Sequence, residues 1–413
     1  MWRLWGMTIL VAGLLPWPGC RFNPVAKVGS GLDAGRDAVS WWDAGSDAVA
    51  SRDGVVTDGA LPDGPPTDGP APDRAPVCAE GTFECLTDTS ARVCANGAWS
   101  APRRCFLGCV AGRRECRDPS NVDTATLGFD ENGLGDLSRD DDLVVNTDTG
   151  EIQTQGGAVI RQANHVNNLN HGIGFYRVSS MGADLGVFVL SSWTIPAGRT
   201  VSVRGQAAFV ALVAHDVHLM GRIDAGAHGV HGGPGGFDGG AQGQPGLGPC
   251  HGSPGSGTTA CNDLCSSGSG GGGHGGAGGG GGAVNCENGA HVLSAGTGGS
   301  VCGNDELQPL VGGSGGAGGA MVTGYDYGAN SEPGPGPGGG GGGAVQISLR
   351  GRLVLGSGGG ILVPGAGGGE TTSGGGSGGG AGGAILLEAG EVVADADAFL
   401  AANGGGGGGG DCT

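Results

Sequence analysis

The stretch 343–355 limits the possible fold of this chain more than any other. Apolar and polar residues alternate from Val345 to Arg350, Gly351 breaks the pattern, and the alternation then resumes. Such alternation predicts a strand with one buried face and one solvated face. Two short strands around one glycine leave no room for a long-armed hairpin, so they are predicted to be two sides of one coil. The residues expected on the solvated face are Gln346, Ser348 and Arg350.

The same unit recurs on both sides of this stretch. Upstream, residues 201–225 place Val217, Leu219, Ile223 and Ala225 on one face, and downstream, residues 383–403 repeat the pattern. One unit cannot bury its own apolar face, whereas stacked units cover one another. We therefore predict an all-β protein: a right-handed parallel β-helix of the pectin-lyase-like type with long glycine-rich insertions, preceded by a small disulfide-rich module.

Glycine accounts for 100 of the 413 residues, so much of the chain has no side chain to bury. The main glycine tracts, residues 221–322 and 356–383, are predicted either to be mobile loops or to pack without side chains. In the second case they would form polyproline-II-like strands in close backbone contact. Because insertions between repeats map to one face, we expect the tracts to leave the stack at one corner.

Charge and residue type exclude several functions. The formal net charge of −19 argues against a nucleic-acid partner, because phosphate binding needs clustered Lys and Arg. Lys27 is the only lysine, which excludes a P-loop and a Schiff-base lysine in the folded part. Gly-x-Ser-x-Gly occurs around Ser314 and Ser377, but no helical pattern follows, so a nucleophile elbow is not predicted. No cofactor is predicted.

The first 20 residues have the pattern of an export signal. Arg3 gives a basic start, and residues 7–15 form an apolar run too short to span a bilayer. The segment ends in Trp17-Pro18-Gly-Cys20, which resembles a bacterial lipoprotein signal apart from Trp17 and Pro18. This predicts lipid attachment at Cys20, export, and anchoring at the outer membrane or cell surface. The alternative is an ordinary secretory signal with a chance cysteine.

The cysteine count favours lipid attachment. Of 13 cysteines, Cys20 would carry the lipid and leave two groups of six. Even numbers in an exported chain predict disulfides, although six cysteines allow 15 connectivities. Zinc is the alternative for the first group, which lacks any Cys-x-x-Cys. The disulfide candidates are Cys78, Cys85, Cys94, Cys105, Cys109 and Cys116, and then Cys250, Cys261, Cys265, Cys286, Cys302 and Cys412.

Composition divides the chain into five segments. The signal segment, residues 1–20, precedes residues 21–77, in which recurring Asp with Gly and Pro predicts a disordered tether. Residues 78–117 form the six-cysteine module, where disulfides must stabilise a small core. Residues 118–192 are predicted to lead into the stack and cap its first coil. Residues 193–413 are predicted to form the coils and their glycine-rich loops.

No catalytic, cofactor-binding or metal-binding residue is assigned. Five histidines lie near Asp216, Asp224 and Asp238, but side chains three apart on a strand point to opposite faces. A metal site there is therefore not predicted. The histidines concerned are His215, His218, His228, His231 and His251.

A second class of function, in which the protein binds or degrades polysaccharide, is the alternative. Fragments similar to polygalacturonase motifs occur, but in a different order and without the lysine. The two carboxylates of a glycosidase flank the sugar bond about 5–10 Å apart, and nothing in this sequence sets that distance. The residues concerned are Asp141, Asp142, Asp148 and His228, with Trp193, Phe237, Tyr325 and Tyr327 as exposed rings for sugar stacking.

Three features together resemble one family. They are the lipoprotein signal with an Asp-Ala-Gly tether at 33–35 and 43–45, the six-cysteine module, and residues 193–198 leading into 221–225. Over nearly its whole length the chain resembles the glycine-rich, β-helical surface lipoproteins of myxobacterial type. The resemblance implies an outer-membrane location and a fold, but no activity. We therefore predict a non-enzymatic structural or adhesin-like surface lipoprotein, whose partners are the membrane, through its lipid, and a cell-surface or extracellular polysaccharide.

Overall fold

The computed structural model describes residues 4–5, 78–128, 131–259, 265–285, 292–322, 325, 334–370, 374–407 and 411–412. Within these residues the protein is nearly all-β. Helix is confined to Thr124–Leu127 and to the 3-10 turns Ala111–Arg113 and Glu131–Gly133. The predicted tether and the predicted lipid site at Cys20 lie outside the described residues.

Most strands belong to three sheets, called sheets I, II and III, in each of which neighbouring strands are hydrogen-bonded in the following order. Sheet I consists of Asn168–Asn170, Ile173–Ser180, Ala183–Leu190, Ala208–Val213, Ala344–Leu349 and Ala384–Glu388. Sheet II consists of Leu4–Trp5, Glu391–Ala394, Arg352–Leu355, Val217–Leu219, Trp193–Ile195 and Leu137–Ser138. Sheet III consists of Val159–Arg161, Ile152–Thr154, Leu143–Asn146, Thr200–Arg204, Arg222–Asp224, Gly360–Leu362 and Phe399–Ala401.

The chain passes through sheets I, II and III in the same order four times. The passes span residues 183–204, 208–224, 344–362 and 384–401. Strands of successive passes pair in parallel in all three sheets. Parallel neighbours require the chain to cross elsewhere before it returns, and in this protein the other two sheets provide that crossing. Parallel sheets are therefore the framework of the protein.

Apolar side chains from all three sheets meet in one hydrophobic core. In sheet I, Phe188, Ala211, Ile347 and Leu387 are in register from strand to strand, and each is at most 2% exposed. Burying one large apolar side chain stabilises a fold by about 1.5–3 kcal/mol, so such rows hold the passes together. The alternation predicted from the sequence is confirmed in the second pass, where Val217, Leu219, Ile223 and Ala225 are fully buried.

Aromatic rings fill the core at the first two passes. The ring centroids of Phe175 and Phe188 lie 4.9 Å apart, those of Phe188 and Phe209 5.5 Å, and those of Trp193 and Phe209 6.1 Å. These separations are typical of favourable aromatic pairs. Trp193 is only 1% exposed, so the prediction that it offers an exposed ring for sugar stacking is wrong.

The outer face of sheet I is also buried, which corrects the prediction of a solvated face. Gln346 and Ser348 are fully buried, and Arg350 is largely covered. A second hydrophobic cluster joins this face to the cysteine module through Phe106 and to a later loop through Leu310. The alternation is visible in the sequence, but the sequence of one strand does not reveal that a distant segment covers its polar side.

The carboxylate of Glu388 accepts hydrogen bonds from the polar side chains that are buried on this face. Glu388 accepts hydrogen bonds from Gln346 Nε2 at 2.9 Å and from Ser348 Oγ at 2.7 Å. It also accepts the backbone N–H of Ser120, at 3.1 Å, from the segment that follows the cysteine module. Asn121 Nδ2 donates to Gln346 Oε1 at 3.1 Å. The network therefore fastens the segment after the module onto sheet I.

We expect Glu388→Ala to loosen this attachment. The substitution leaves buried donors without an acceptor, which costs about 1–3 kcal/mol for each such group. The free energy of unfolding should fall by that order, and trypsin should cut more rapidly after Arg117. Chemical denaturation and limited proteolysis measure both effects. The exposed Glu370→Ala is the control, and equal behaviour of the two variants would contradict the role given to Glu388.

Disulfides hold the six-cysteine module. Its strands are Phe83–Thr87, Ser90–Ala95, Ala98–Trp99, Arg103–Arg104, Gly108–Val110 and Glu115–Arg117. The turn at Asn96-Gly97 has positive φ at both residues, 54° and 72°, as a two-residue hairpin requires. The three pairs are Cys78–Cys94, Cys85–Cys109 and Cys105–Cys116.

Antiparallel strands flank the first pass. Those of residues 152–161 extend sheet III and those of residues 168–180 extend sheet I. Arg161, at the end of the first extension, is fully buried. Its guanidinium donates to backbone carbonyls that include Gly150 O at 2.7 Å and Ile173 O, in the second extension, at 3.1 Å. Burial lowers the pKa of Arg161 to about 10, and Tyr176 opposes that shift. Arg161 therefore ties the two extensions together.

The glycine tracts all begin where a strand of sheet III ends, as the sequence predicts, and the first two lead back to sheet I. They follow Arg222–Asp224, Gly360–Leu362 and Phe399–Ala401. The tracts pack against one another in what we call the glycine bundle. Its members are residues 233–247, 250–257, 267–273, 276–282, 294–299, 312–319, 334–343, 363–369, 375–383 and 402–407. Short strand pairs at its periphery are Gly257–Thr258 with Cys265–Ser266, Cys265–Ser266 with Asp411–Cys412, and Val284–Asn285 with Val292–Leu293.

Backbone hydrogen bonds in the bundle repeat every three residues. In tract 312–319, N–H groups 312, 315 and 318 donate to tract 233–247. N–H groups 313, 316 and 319 donate to tract 334–343, and 314 and 317 donate to tract 267–273. Three residues per turn is the period of a polyproline-II helix, which forms no hydrogen bonds within itself. Tracts 267–273, 334–343 and 375–383 show the same repeat. These tracts and 312–319 are therefore packed polyproline-II-like strands, and the loop alternative is wrong for them.

Close packing explains why most bundle residues are glycine. A Cβ atom on Gly315 would collide with the carbonyl of Asp238, and one on Gly378 would collide with that of Gly270. The few larger residues place their side chains where the bundle has room or a partner. Ser314 Oγ, for example, accepts the N–H of Cys250 at 3.1 Å, and Ser377 Oγ donates to Gly336 O at 2.7 Å.

We expect Gly315→Ala to destabilise the protein by about 1–3 kcal/mol, the usual cost of overpacking. A lower unfolding temperature in calorimetry would record it. The matched control is Gly406→Ala, because a Cβ on Gly406 meets nothing within 4 Å. If both alanine variants melted at the same temperature, close packing would not be what selects glycine at position 315.

Candidate functional site

The glycine bundle surrounds a cavity of about 440 Å³. Its walls are formed by residues of four bundle tracts, 267–273, 276–282, 375–383 and 402–407, and by the loop 301–307. Because nearly all these residues are glycine, the walls expose backbone groups and Cα hydrogens. The side chains that line the cavity are few: those of His274, Val301, Asn304, Asp305 and Leu307, with alanine methyl groups.

His274 is the buried polar side chain of this cavity. It directly follows the glycine tract that ends at Gly273, and it is only 6% exposed. Its backbone is fixed, since its N–H donates to Gly276 O and its carbonyl accepts from the N–H groups of Cys302 and Gly303, all at 3.0 Å. Its ring nitrogen Nε2 is buried and has no hydrogen-bond partner among the described residues.

The electrostatics of the cavity favour a neutral imidazole. Burial lowers the pKa of His274 below its ordinary value of 6.5. A neutral ring keeps one nitrogen as an acceptor and one as a donor. A buried polar atom without a partner costs free energy, so a bound group that met Nε2 would recover that cost. The cavity can therefore hold a neutral, hydrogen-bonding group close to the backbone of its walls.

The loop at the cavity mouth is braced from two sides. The disulfide Cys250–Cys302 joins this loop to tract 250–257 of the bundle. Asn304 folds the loop on itself, because its Oδ1 accepts the N–H groups of Glu306 and Gln308, both at 3.2 Å. These contacts hold the loop, and with it His274, in place against the bundle.

The carboxylates of the glycan-degrading alternative have structural contacts. Asp148 accepts the N–H groups of Gln206 at 2.8 Å and Ala207 at 3.2 Å, and it pairs with Arg177 at 2.8 Å. Asp142 accepts the N–H of Thr200 at 2.8 Å. Asp141 instead lines a second cavity of about 330 Å³, together with Asp136, Arg139 and His171. His228 does not line that cavity.

Among the described residues, the histidines near Asp216, Asp224 and Asp238 do not come together as a metal site. His228 and His231 form an antiparallel bridge, and His231 Nδ1 lies 3.6 Å from Asp238 Oδ2. His215 is exposed and His218 is partly covered on sheet II. Across the described part of the chain, no group of three or more His, Cys, Asp or Glu side chains could hold a metal ion.

The described members of the second cysteine group lie near the cavity and bundle. Besides the Cys250–Cys302 disulfide, Cys265 stands opposite Cys412 in the antiparallel register of their strands. Cys261 and Cys286 lie outside the described residues, as does Tyr327. Phe237 is partly covered and packs near Gly248 within the bundle.

His274 was missed by sequence reasoning, which grouped histidines by their distance along the chain. The available signal was its setting, because it is the one bulky residue between Gly270–Gly273 and Gly275–Gly276. A large polar side chain inside a close-packed glycine tract needs a space of its own. That space becomes visible only when the tracts are assembled.

Comparison of the chain with protein-family models, with curated proteins and with solved structures finds no match in any of the three. The longest helix among the described residues has four residues, which is too short to cross a bilayer.

We expect His274 to make the protein less stable in mild acid. Its folded pKa is lowered, so the unfolded state binds the proton more strongly, and stability falls as pH drops below about 6.5. Replacing the ring by His274→Leu should flatten part of this decline in denaturation curves from pH 7.5 to 5. His228, whose pKa burial also lowers, should leave a remainder.

The exposed His215→Leu is the control and should keep the full decline. If both leucine variants lost stability with falling pH as the parent does, burial of His274 would not be the source.

Proposed function

We propose that the three sheets form a right-handed parallel β-helix. Four passes in the order I, II, III, with parallel pairing between passes and a shared core, support this arrangement. Each pass would be one coil. The module and residues 118–192 would cover the outer face and the first coil, where an open sheet edge would otherwise invite aggregation.

We further propose that the protein is a non-enzymatic structural or adhesin-like lipoprotein of the cell surface. The lipoprotein-type signal ending at Cys20 and the acidic tether support the location. The observation that carries the structural role is the three-residue hydrogen-bond repeat of the glycine bundle. It makes glycine-rich sequence, which is costly to order, into a packed body beside the sheets. A rigid body on the predicted tether would be suited to display.

The glycan-degrading alternative receives less support. The carboxylates Asp142 and Asp148 are occupied by backbone N–H groups, and the ring of Trp193 is in the core. Polysaccharide binding without cleavage stays compatible with an adhesin-like role, and the glycine-lined cavity is the concave surface available for it.

We expect Cys20→Ala to abolish the anchor. In a bacterial host that processes lipoproteins, the parent chain should take up labelled palmitate and sediment with outer membranes, and surface protease should cut it in intact cells. The variant should lose the label and leave the membrane fraction, while Ser40→Ala in the tether should behave as the parent. Unlabelled parent chain would overturn the lipoprotein assignment.

The display role is tested separately with the Cys20→Ala chain and a panel of bacterial and plant polysaccharides. An adhesin-like protein should retain a polysaccharide without releasing new reducing or unsaturated ends. A purely structural protein should neither retain a polysaccharide nor release new ends. Release of new ends would overturn the non-enzymatic assignment and point to Asp141, Asp142, Asp148 and His228.

A further inference from the structure

The cavity continues the packing of the glycine bundle. Tract 375–383 exchanges backbone hydrogen bonds with five other tracts, which are 267–273, 312–319, 334–343, 363–369 and 402–407. The cavity runs along the end of the same tract, from Gly379 to Gly383, and reaches Ala384, a length of about 16 Å at the polyproline-II rise. It therefore has the length and the walls of a position for one more strand.

Two wall positions are glycine for no reason inside the described part of the molecule. A Cβ on Gly276 or Gly279 would meet nothing within 4 Å, whereas one on Gly272 would collide with the carbonyl of Ser314. Neither residue has a positive φ that would demand glycine. Glycine costs more conformational entropy than any other residue, and at these two wall positions it leaves room for another chain to approach closely.

His274 supplies the second, independent indication of an occupant. His274 lines the cavity, and its buried Nε2 has no partner among the described residues. A polyproline-II strand leaves its own N–H and carbonyl groups free for its neighbours. Such a strand would give the neutral imidazole a backbone donor or acceptor and would pack against wall glycines as the bundle tracts do.

We propose that this cavity docks a glycine-rich, polyproline-II strand from a second copy of this chain. The tracts on either side of it, residues 275–280 and 403–407, are largely exposed and have the backbone chemistry that the cavity accepts. The face thus carries both a groove and matching ridges, which is what a self-complementary interface requires. The inference names a partner for the display surface and rests on the proposed function only for bringing copies together on one cell surface.

Charge sets the conditions of docking. Among the described residues that line the cavity, Asp305 is the one with a charged side chain, so the groove itself opposes an acidic partner little. Each copy nevertheless carries a formal charge of −19, and like-charged molecules repel one another over a Debye length. Association should therefore strengthen as salt screens this repulsion, which is the opposite of a contact held by ion pairs.

The test is sedimentation of the full chain carrying Cys20→Ala, which removes any contribution from an acyl group. We expect reversible self-association that tightens with salt. Gly276→Val and Gly279→Val should each weaken it by at least about tenfold, because their side chains enter the groove without disturbing the fold. Gly112→Val is the matched control, since Gly112 also has open space at its Cβ but lies in the cysteine module.

A peptide with the sequence of residues 312–319 should compete with self-association, and the same peptide with alanine for every glycine should not. A chain that stays monomeric at all salt concentrations overturns the proposal. If that monomer bound the peptide, the occupant would be another glycine-rich protein, and if it retained a polysaccharide through the groove, the occupant would be a sugar. Failure of Cys20 lipidation changes none of these outcomes, so the two proposals fail separately.

Discussion

The backbone hydrogen bond between neighbouring glycine tracts is the interaction on which this structure depends most. Ordering a residue costs about 1–2 kcal/mol, and glycine lies at the expensive end of that range. The tracts have few side chains whose burial would offset the cost. What they have is close approach, in which N–H groups 313 and 316 reach carbonyls 342 and 339 at 2.8 and 2.9 Å. Each tract is ordered because several others surround it, so the bundle forms as a unit.

The sheets and the bundle divide the work of stabilisation. Rows such as Phe188, Ala211, Ile347 and Leu387 bury apolar surface in a conventional core. The bundle excludes water around backbone groups and uses side chains only where a hydroxyl or an imidazole fits. The two parts meet at the corner between sheets III and I. The second, third and fourth passes therefore fix where glycine-rich sequence leaves the sheets.

Local patterns were readable from the sequence, and assembled ones were not. The two-residue period of Val217, Leu219 and Ile223 identified inward faces, and Asn96-Gly97 identified a turn, because each depends on neighbours in the chain. The burial of Gln346 and Ser348 depends on Ser120, Asn121 and Glu388, which are at least 40 residues away. Likewise, glycine tracts carry no pattern that says which of them meet, so neither the three-residue hydrogen-bond repeat nor the cavity at His274 could be derived.

The three-residue repeat also sets how these tracts can change length. In tract 312–319, each N–H direction serves a different neighbour, and the phase returns only after three residues. Inserting or deleting three residues keeps every remaining N–H aimed at its own neighbour. Inserting or deleting one or two residues rotates the rest of the tract, so that its N–H groups point towards the wrong partners. It also places the side chain of Ser314 or Ala317 at a position where only the hydrogen of glycine fits. Gains and losses in steps of three are therefore the changes that this architecture tolerates. They would lengthen or shorten the bundle without altering the sheets.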